Sequence, residues 1–278
     1  MIHPSAIVLG DVVFGDGVEV GPGCVIDGTR GVVSLGAGVK LIASVQLRGP
    51  IEIGAGTVVY PFACLGFEPQ DVKFDSKGGT LGVKIGSKCI IREHVTVHAA
   101  SNGKPRATTV GDNCFLMVNA HVGHDAIVQN HVVMVNNTAI GGHAELHERC
   151  TVGGGAAIHQ FCRVGRLAFV SGVTPISAEV PPFTVVWGRN DLAGLNLVGM
   201  RRSGMSRDEI TLVRAAFREA IKPNLPLPKT IEILRRLGEK SPAVMEMAEF
   251  YATCKRSTAR FRSSQRGGDG DDDDGVVV

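Results

Sequence analysis

The sequence predicts a mainly β chain, a solenoid of short strands followed by a small C-terminal α-helical domain. Three observations predict it. Aliphatic residues recur at every sixth position through most of the chain; 36 of the 278 residues are glycine while only 5% are aromatic; and beyond Pro181 and Pro182 the six-residue beat gives way to helical spacing with capping residues.

A helix repeats near 3.6 residues and a flat strand near 2, so a sustained period of six fits neither. Six residues make one flat face. Three faces make a triangular coil of about 18 residues, with the aliphatic side chains stacked inward and glycines and small polar residues at the corners. The beat runs through Val8, Phe14, Val20 and Ile26, then from Leu35 through Leu41, Leu47, Ile53 and Val59 to Leu65, then Ile85, Ile91 and Val97. Its longest run goes from Val110 through Val122, Val128, Ile140, Val152 and Val164 to Ile176. The register slips after Ile26, after Leu65 and after Val97. The last two slips predict loops projecting near 66–84 and 98–109, and loops on a rigid scaffold commonly carry function.

The helical part opens with Ser206 and, three residues on, Glu209, a capping box for a helix over 206–221 that halts at Pro223. Ile231, Ile233, Leu234 and Leu237 predict a second helix over 229–239. Ser241 as cap and Pro242 in the first turn predict a third. The expected division is a solenoid domain over 1–189, a helical domain over 190–262 and a disordered acidic tail over 263–278, where five Asp outweigh one Arg.

The net charge of +2 therefore hides a more basic body, which suits an anionic partner. Seven cysteines without a CxxC pair suggest neither a disulfide framework nor a zinc knuckle, and point to a reducing compartment. The N-terminal MIHPSAIVLGD lacks a basic segment followed by an apolar one, and no apolar run approaches the roughly 18 residues of a membrane span. A cytoplasmic location follows, with neither stable membrane insertion nor a nucleic acid partner expected.

The stretch NAHVGHDAIVQN, residues 119–130, concentrates polar groups in the beat. Val122 points inward, so His121 and His124 fall at outward or corner positions. Gly142 lies one coil above His124, where a glycine leaves a backbone N–H accessible beside an imidazole. That pairs a candidate general base with a candidate oxyanion donor. Asp125 either holds the imidazole's tautomer or serves as a turn residue bonded to its own backbone. His143 and His159 extend the polar edge. Histidine also fills solenoid corners, the reading given to His3, His94, His98, His131 and His147, and register alone leaves both readings of His124 open. Cys114 and Cys162 fall at or near inward positions and read as packing. No GxSxG elbow, phosphate-binding loop or dinucleotide fingerprint is present, which leaves direct transfer with a general base. Exposed faces and sheet edges invite pairing, so a homotrimer with sites in the clefts between subunits is expected.

The motifs NAHVGHD, GGHAEL, AIHQFC, EVPPF and GLNLVGMRRSGMSRDEI, in that order, give the chain a resemblance over residues 2–260 to the UDP-N-acetylglucosamine 3-O-acyltransferase family of lipid A synthesis. The resemblance implies a left-handed parallel β-helix, the hexapeptide-repeat solenoid, assembled as a homotrimer. It implies transfer of a 3-hydroxyacyl chain from acyl carrier protein to the glucosamine 3-hydroxyl of UDP-N-acetylglucosamine, with no metal and no dissociable cofactor. By position it makes His124 the base, Asp125 its orienting partner and the Gly142 N–H the oxyanion donor. Asp71 and Lys73 in QDVK face the sugar, and His121, His143 and Gln160, with His159 beside them, contact the sugar nucleotide or the acyl donor. Asn196 and Arg202 hold the nucleotide and its diphosphate, and Gly172 limits acyl-chain length.

This chain departs from the family pattern in having VHAAS at 97–101 where IHRGT is common, Ser203 where a second arginine is usual, and Val198 where an acidic residue is often seen. Arg163 and Arg166 are candidate docking charges for the acidic carrier protein. Four rivals stand beside this reading: an N-acyltransferase acting on a 3-amino sugar nucleotide, an acyl-CoA-dependent sugar acetyltransferase, a zinc hydratase built from boundary histidines, and an inactive structural trimer.

Overall fold

The computed structural model describes residues 1–262. The expected acidic tail lies outside the described residues. Residues from Ile2 to Ile176 wind into a left-handed parallel β-helix whose strands stack in register from coil to coil, for example His121 on Ala139 and Val122 on Ile140, eighteen residues apart.

Each repeat uses its positions for different physical ends. The aliphatic beat residues from Val20 to Ile176 are all exposed by 3% or less, each contributing about 1.5–3 kcal/mol by leaving water. Val8 and Phe14, expected inside, depart from this: Val8 is 39% exposed and Phe14 only partly buried. They belong to the first coil, and among the described residues no further coil packs beneath it. Two residues before each beat residue a second, small side chain also points inward, as in Ala120, Ala126 and Ala144. Cys24, Cys89, Cys114, Cys150 and Cys162 occupy this slot and are buried. Burial pushes the Cys150 thiol well above its ordinary range, so it packs as a small hydrophobe.

Three residues before each beat residue the chain turns. From Asn113 to Val173 every sixth residue has φ near +60°, and among these eleven corners only Gly155 is a glycine. Asn, Asp and His tolerate this conformation best among side chains, and they fill most of the others. The glycines sit instead directly after the beat residue, where coils approach too closely for a β-carbon: one at Gly123 would stand 2.8 Å from the Gly142 nitrogen, and one at Gly141 2.7 Å from the Gln160 nitrogen.

The three register slips open one and the same corner, between the face containing His121–Val122 and the face containing Ile127–Val128. Both projecting loops therefore emerge on the edge that carries His124. The loops also bind each other: Asn102 Oδ1 accepts from Asp75 N at 2.9 Å, and its Nδ2 donates to the Asp75 and Gly79 carbonyls.

The helical part comprises α1 (Leu197–Arg202), α2 (Arg207–Ala216) with a π-helical turn over Phe217–Ile221, α3 (Leu227–Gly238) and α4 (Pro242–Ala252). Ser206 caps α2 through Glu209 N as expected, at 3.1 Å. The reciprocal half of the box is replaced: Glu209 reaches Ser241 Oγ at 2.6 Å and Ala243 N at 2.8 Å, and so caps α4. The boundary expected at 190 falls inside an antiparallel hairpin, Thr184–Trp187 with Asp191–Leu195, to which Arg260–Phe261 adds a further strand.

Arg163 pairs with Glu179, which is 1% exposed and also accepts from Lys255 N, while Arg166 pairs with Glu246 of α4 at 2.7 Å. Both guanidiniums are thus engaged inside the chain, joining helices to coils, a structural role beside the docking role expected of them. Among the described residues no helix is long and apolar enough to cross a membrane.

Candidate active site

Coil stacking builds two columns at the corner described above. His124, Gly142 and Gln160 form one, and the left-handed corner residues Asp125, His143 and Phe161 form the other. His124 and Asp125 are adjacent in sequence, and their side chains meet: His124 Nδ1 lies 2.7 Å from Asp125 Oδ2. Burial pushes the Asp125 carboxyl up, but hydrogen bonds from His124 and Ser101 and the charge of His143 outweigh it and hold the group below its usual range. An ionised carboxylate only accepts, so His124 carries its proton on Nδ1 and presents the Nε2 lone pair outward.

Gly142 lies over that nitrogen, with room for the ring only because it lacks a side chain. Gly141 N donates to the Ile158 carbonyl and His143 N to the His124 carbonyl, while no such bond is recorded from the Gly142 N–H between them among the described residues. A base nitrogen and an unclaimed backbone donor thus share one small space. That is what deprotonating a hydroxyl and holding a developing oxyanion require.

The remaining histidines line the same edge. His143 stacks flat on Phe161, ring centroids 4.5 Å apart, and meets His124 edge-on at 5.3 Å. Burial, with the nearby positive charges of Lys104 and Arg106, holds His143 below its ordinary range despite the pull of Asp125. His121 bonds Thr96 Oγ1 through Nδ1 at 2.8 Å, and its burial beside His98 and His124 likewise lowers it. His98 is fixed by the Glu68 carbonyl at 2.6 Å. His159 and Gln160, both exposed, sit one coil above Gly142. The exposed Lys73 and half-buried Asp71 lie in the loop over 66–84, where Asp71 Oδ1 accepts from Lys73 N at 3.0 Å.

Three expected site residues lie away from this corner. Gly172 sits at the corner between the Phe169–Val170 and Pro175–Ile176 strands, a full face away from His124. Asn196 is the N-cap of α1: its Oδ1 accepts from Gly199 N and its Nδ2 donates to the Leu167 carbonyl, both at 2.8 Å. Arg202 is exposed in the last turn of α1. Ser101, Thr108 and Phe161 were not expected at the site at all. Ser101 stands in VHAAS, read as a departure, yet it keeps a hydroxyl where IHRGT has threonine.

His124, Asp125 and His143 offer ligand atoms within 4.8 Å of one another. Two ligands of a tetrahedral zinc lie about 3.3 Å apart given bonds of about 2.0–2.1 Å. The His124–Asp125 pair is closer, at hydrogen-bonding distance, so this arrangement suits proton transfer better than metal ligation.

Comparison with known proteins places the whole chain among acyltransferases. A family profile described as UDP-N-acetylglucosamine O-acyltransferase, domain 2, matches residues 179–259. An acyl-[acyl-carrier-protein]–UDP-N-acetylglucosamine O-acyltransferase from Thermodesulfovibrio yellowstonii is 38% identical over 260 residues, covering 93% of this chain and 99% of the relative. The chain belongs to the UDP-N-acetylglucosamine O-acyltransferase family. An acyltransferase of the same name from Mesorhizobium japonicum is 38% identical over 275 residues, covering 98% of this chain and 96% of its own. Among solved structures, the UDP-N-acetylglucosamine acyltransferase of Campylobacter jejuni superposes with a TM-score of 0.86 at 29% identity, covering 94% of this chain and all of its own. That of Arabidopsis gives 0.81 at 30% identity, with coverage of 94% and 100%. As a member of this acyltransferase family, the chain gathers His121, His124, His143 and His159 along one edge of its coils.

Proposed function

We propose that this chain transfers a 3-hydroxyacyl group from acyl carrier protein to the glucosamine 3-hydroxyl of UDP-N-acetylglucosamine, the first step of lipid A synthesis. His124 Nε2 takes the proton of the 3-hydroxyl as its oxygen attacks the thioester carbonyl. The Gly142 N–H stabilises the tetrahedral oxyanion. Collapse breaks the carbon–sulfur bond, and the thiolate leaves with the proton that His124 returns. The observation that carries this reading is the His124–Asp125 hydrogen bond, which engages Nδ1 and leaves Nε2 facing the space beneath Gly142.

The reading gives Asp71 and Lys73 to the sugar, and His121, His143, His159 and Gln160 to the sugar nucleotide or acyl donor. Asn196 and Arg202 go to the nucleotide and its diphosphate, Asn196 while also capping α1, and Gly172 to chain length. A homotrimer belongs to the same reading. Gly172 and His124 lie on different corners of one chain, so a cleft that uses both draws them from two copies. A cytoplasmic location fits substrates of this kind.

Transfer from 3-hydroxyacyl carrier proteins of graded chain length to UDP-N-acetylglucosamine tests the proposal, with wild type and His124→Ala side by side. The expected result is wild-type product that falls about 10²–10⁴-fold in the variant. An inactive wild type with every donor, or an unimpaired variant, overturns it.

A further inference from the structure

The Asp125 carboxylate is held by more than His124. Ser101 donates its hydroxyl to Oδ2 at 2.6 Å and its backbone N–H to Oδ1 at 3.2 Å, and the Asp125 N–H in turn donates to Thr108 Oγ1 at 2.8 Å. The loop over 98–109 is thus pinned at both ends to one residue. Asp125 needs these partners, because it is 3% exposed and sits at a corner with φ +60°. A buried carboxylate with a single partner would rotate or lose its ionisation.

We infer that Ser101 is a positioning residue for the reaction, acting through Asp125 on the orientation and tautomer of His124. The inference rests on the acyl-transfer reading above for its kinetic readout. Oδ2 accepts from Ser101 Oγ and from His124 Nδ1, two donors held by different coils, so both bonds form only while the carboxylate keeps the orientation that meets them together. The neighbouring Asn102 binds the other projecting loop through Asp75 and Gly79. The dipeptide therefore stands between the loop of Asp71 and Lys73 on one side and the catalytic pair on the other.

The test compares Ser101→Ala, Ser101→Thr and Asn102→Ala with wild type. Losing a hydrogen bond to a charged group lowers kcat about 10- to 100-fold in Ser101→Ala, with little change in the KM for UDP-N-acetylglucosamine. The acid limb of kcat/KM also moves to lower pH, because a carboxylate that turns away without the Ser101 bond gives the protonated imidazole less support. The other charged groups facing the pair, His143 with Lys104 and Arg106 around it and His121 beside His98, are unchanged in the variant. Ser101→Thr restores rate and profile. Asn102→Ala, which does not touch Asp125, changes the KM and leaves the pH profile alone.

Combining Ser101→Ala with Asp125→Asn gives no further loss beyond Asp125→Asn by itself. Additive losses, an unshifted profile in Ser101→Ala or a failure of threonine to rescue would each overturn the inference. Nitrogen NMR of His124 without substrate separates this result from the functional reading. The Nδ1-protonated form dominates in wild type and declines in Ser101→Ala, whichever acyl donor the enzyme accepts, and an unchanged spectrum refutes the role of Ser101.

Discussion

The imidazole of His124 lies directly under Gly142: a β-carbon at position 142 would stand 2.6 Å from Nε2 and 2.7 Å from Cε1. Glycine is required here for space, since no positive φ is recorded at this position. The nitrogen that would meet the methyl group is the one proposed to take the proton.

Gly142→Ala therefore displaces the ring or breaks its bond to Asp125, while the coil itself keeps its aliphatic stack. The expected outcome is a loss of about 10²–10³-fold in kcat, comparable to losing an oxyanion donor, with a melting temperature close to wild type. Steady-state kinetics beside a thermal melt check it, and a fully active alanine variant would detach Gly142 from the mechanism.

Burial, reinforced by His98 and His124, holds His121 below the ordinary histidine range. The unfolded chain takes up its proton near pH about 6.5, the folded chain only at lower pH. Stability from this group is therefore whole above about 6.5 and declines as pH falls towards the depressed folded value. Denaturant unfolding at about pH 7.5 and about pH 5.5 should show His121→Gln losing less stability over that interval than wild type. Equal losses would remove His121 from the account.

The helices are fastened to the coils by Glu179, 1% exposed, in its pairing with Arg163. Removing one partner strands a buried charge, so Glu179→Ala is expected to cost about 3–5 kcal/mol. Hydrogen exchange should rise first around Lys255–Arg256, whose backbone N–H groups Glu179 accepts. Arg163→Ala should destabilise in the same way without raising the KM for the acyl donor, as a docking charge would.

The solenoid was legible because its period is enforced by packing: a coil that stacks on itself demands the same side chain at the same place. The site was legible by the same rule, since Gly142 follows from His124 by one coil. Ser101 escaped because it lies in an inserted loop, where no period applies, and its partner is set by how two insertions fold over one corner. The Glu209 cap of α4 escaped for a related reason. A capping box is a local pattern, and the tertiary neighbour Ser241 was placed nearer to the glutamate than the helix's own start. Val8 and Phe14 kept the beat and lost the burial, because period alone does not say where the stack ends.

The separation of Gly172 and His124 yields a test of assembly as well as of specificity. A side chain at 172 meets little of its own chain, only the Gly154 carbonyl at 3.2 Å and the Gly154 nitrogen at 3.9 Å, so Gly172→Met should fold and should favour shorter acyl donors. His124→Ala should transfer no chain of any length at a useful rate. If each cleft takes His124 from one copy and Gly172 from another, trimers reassembled from a mixture of the two variants contain some clefts with both residues intact. Transfer of the longer chain then returns in the mixture, although neither variant performs it alone. If the two residues served one cleft from the same chain, every cleft would carry one defect and mixing would restore nothing.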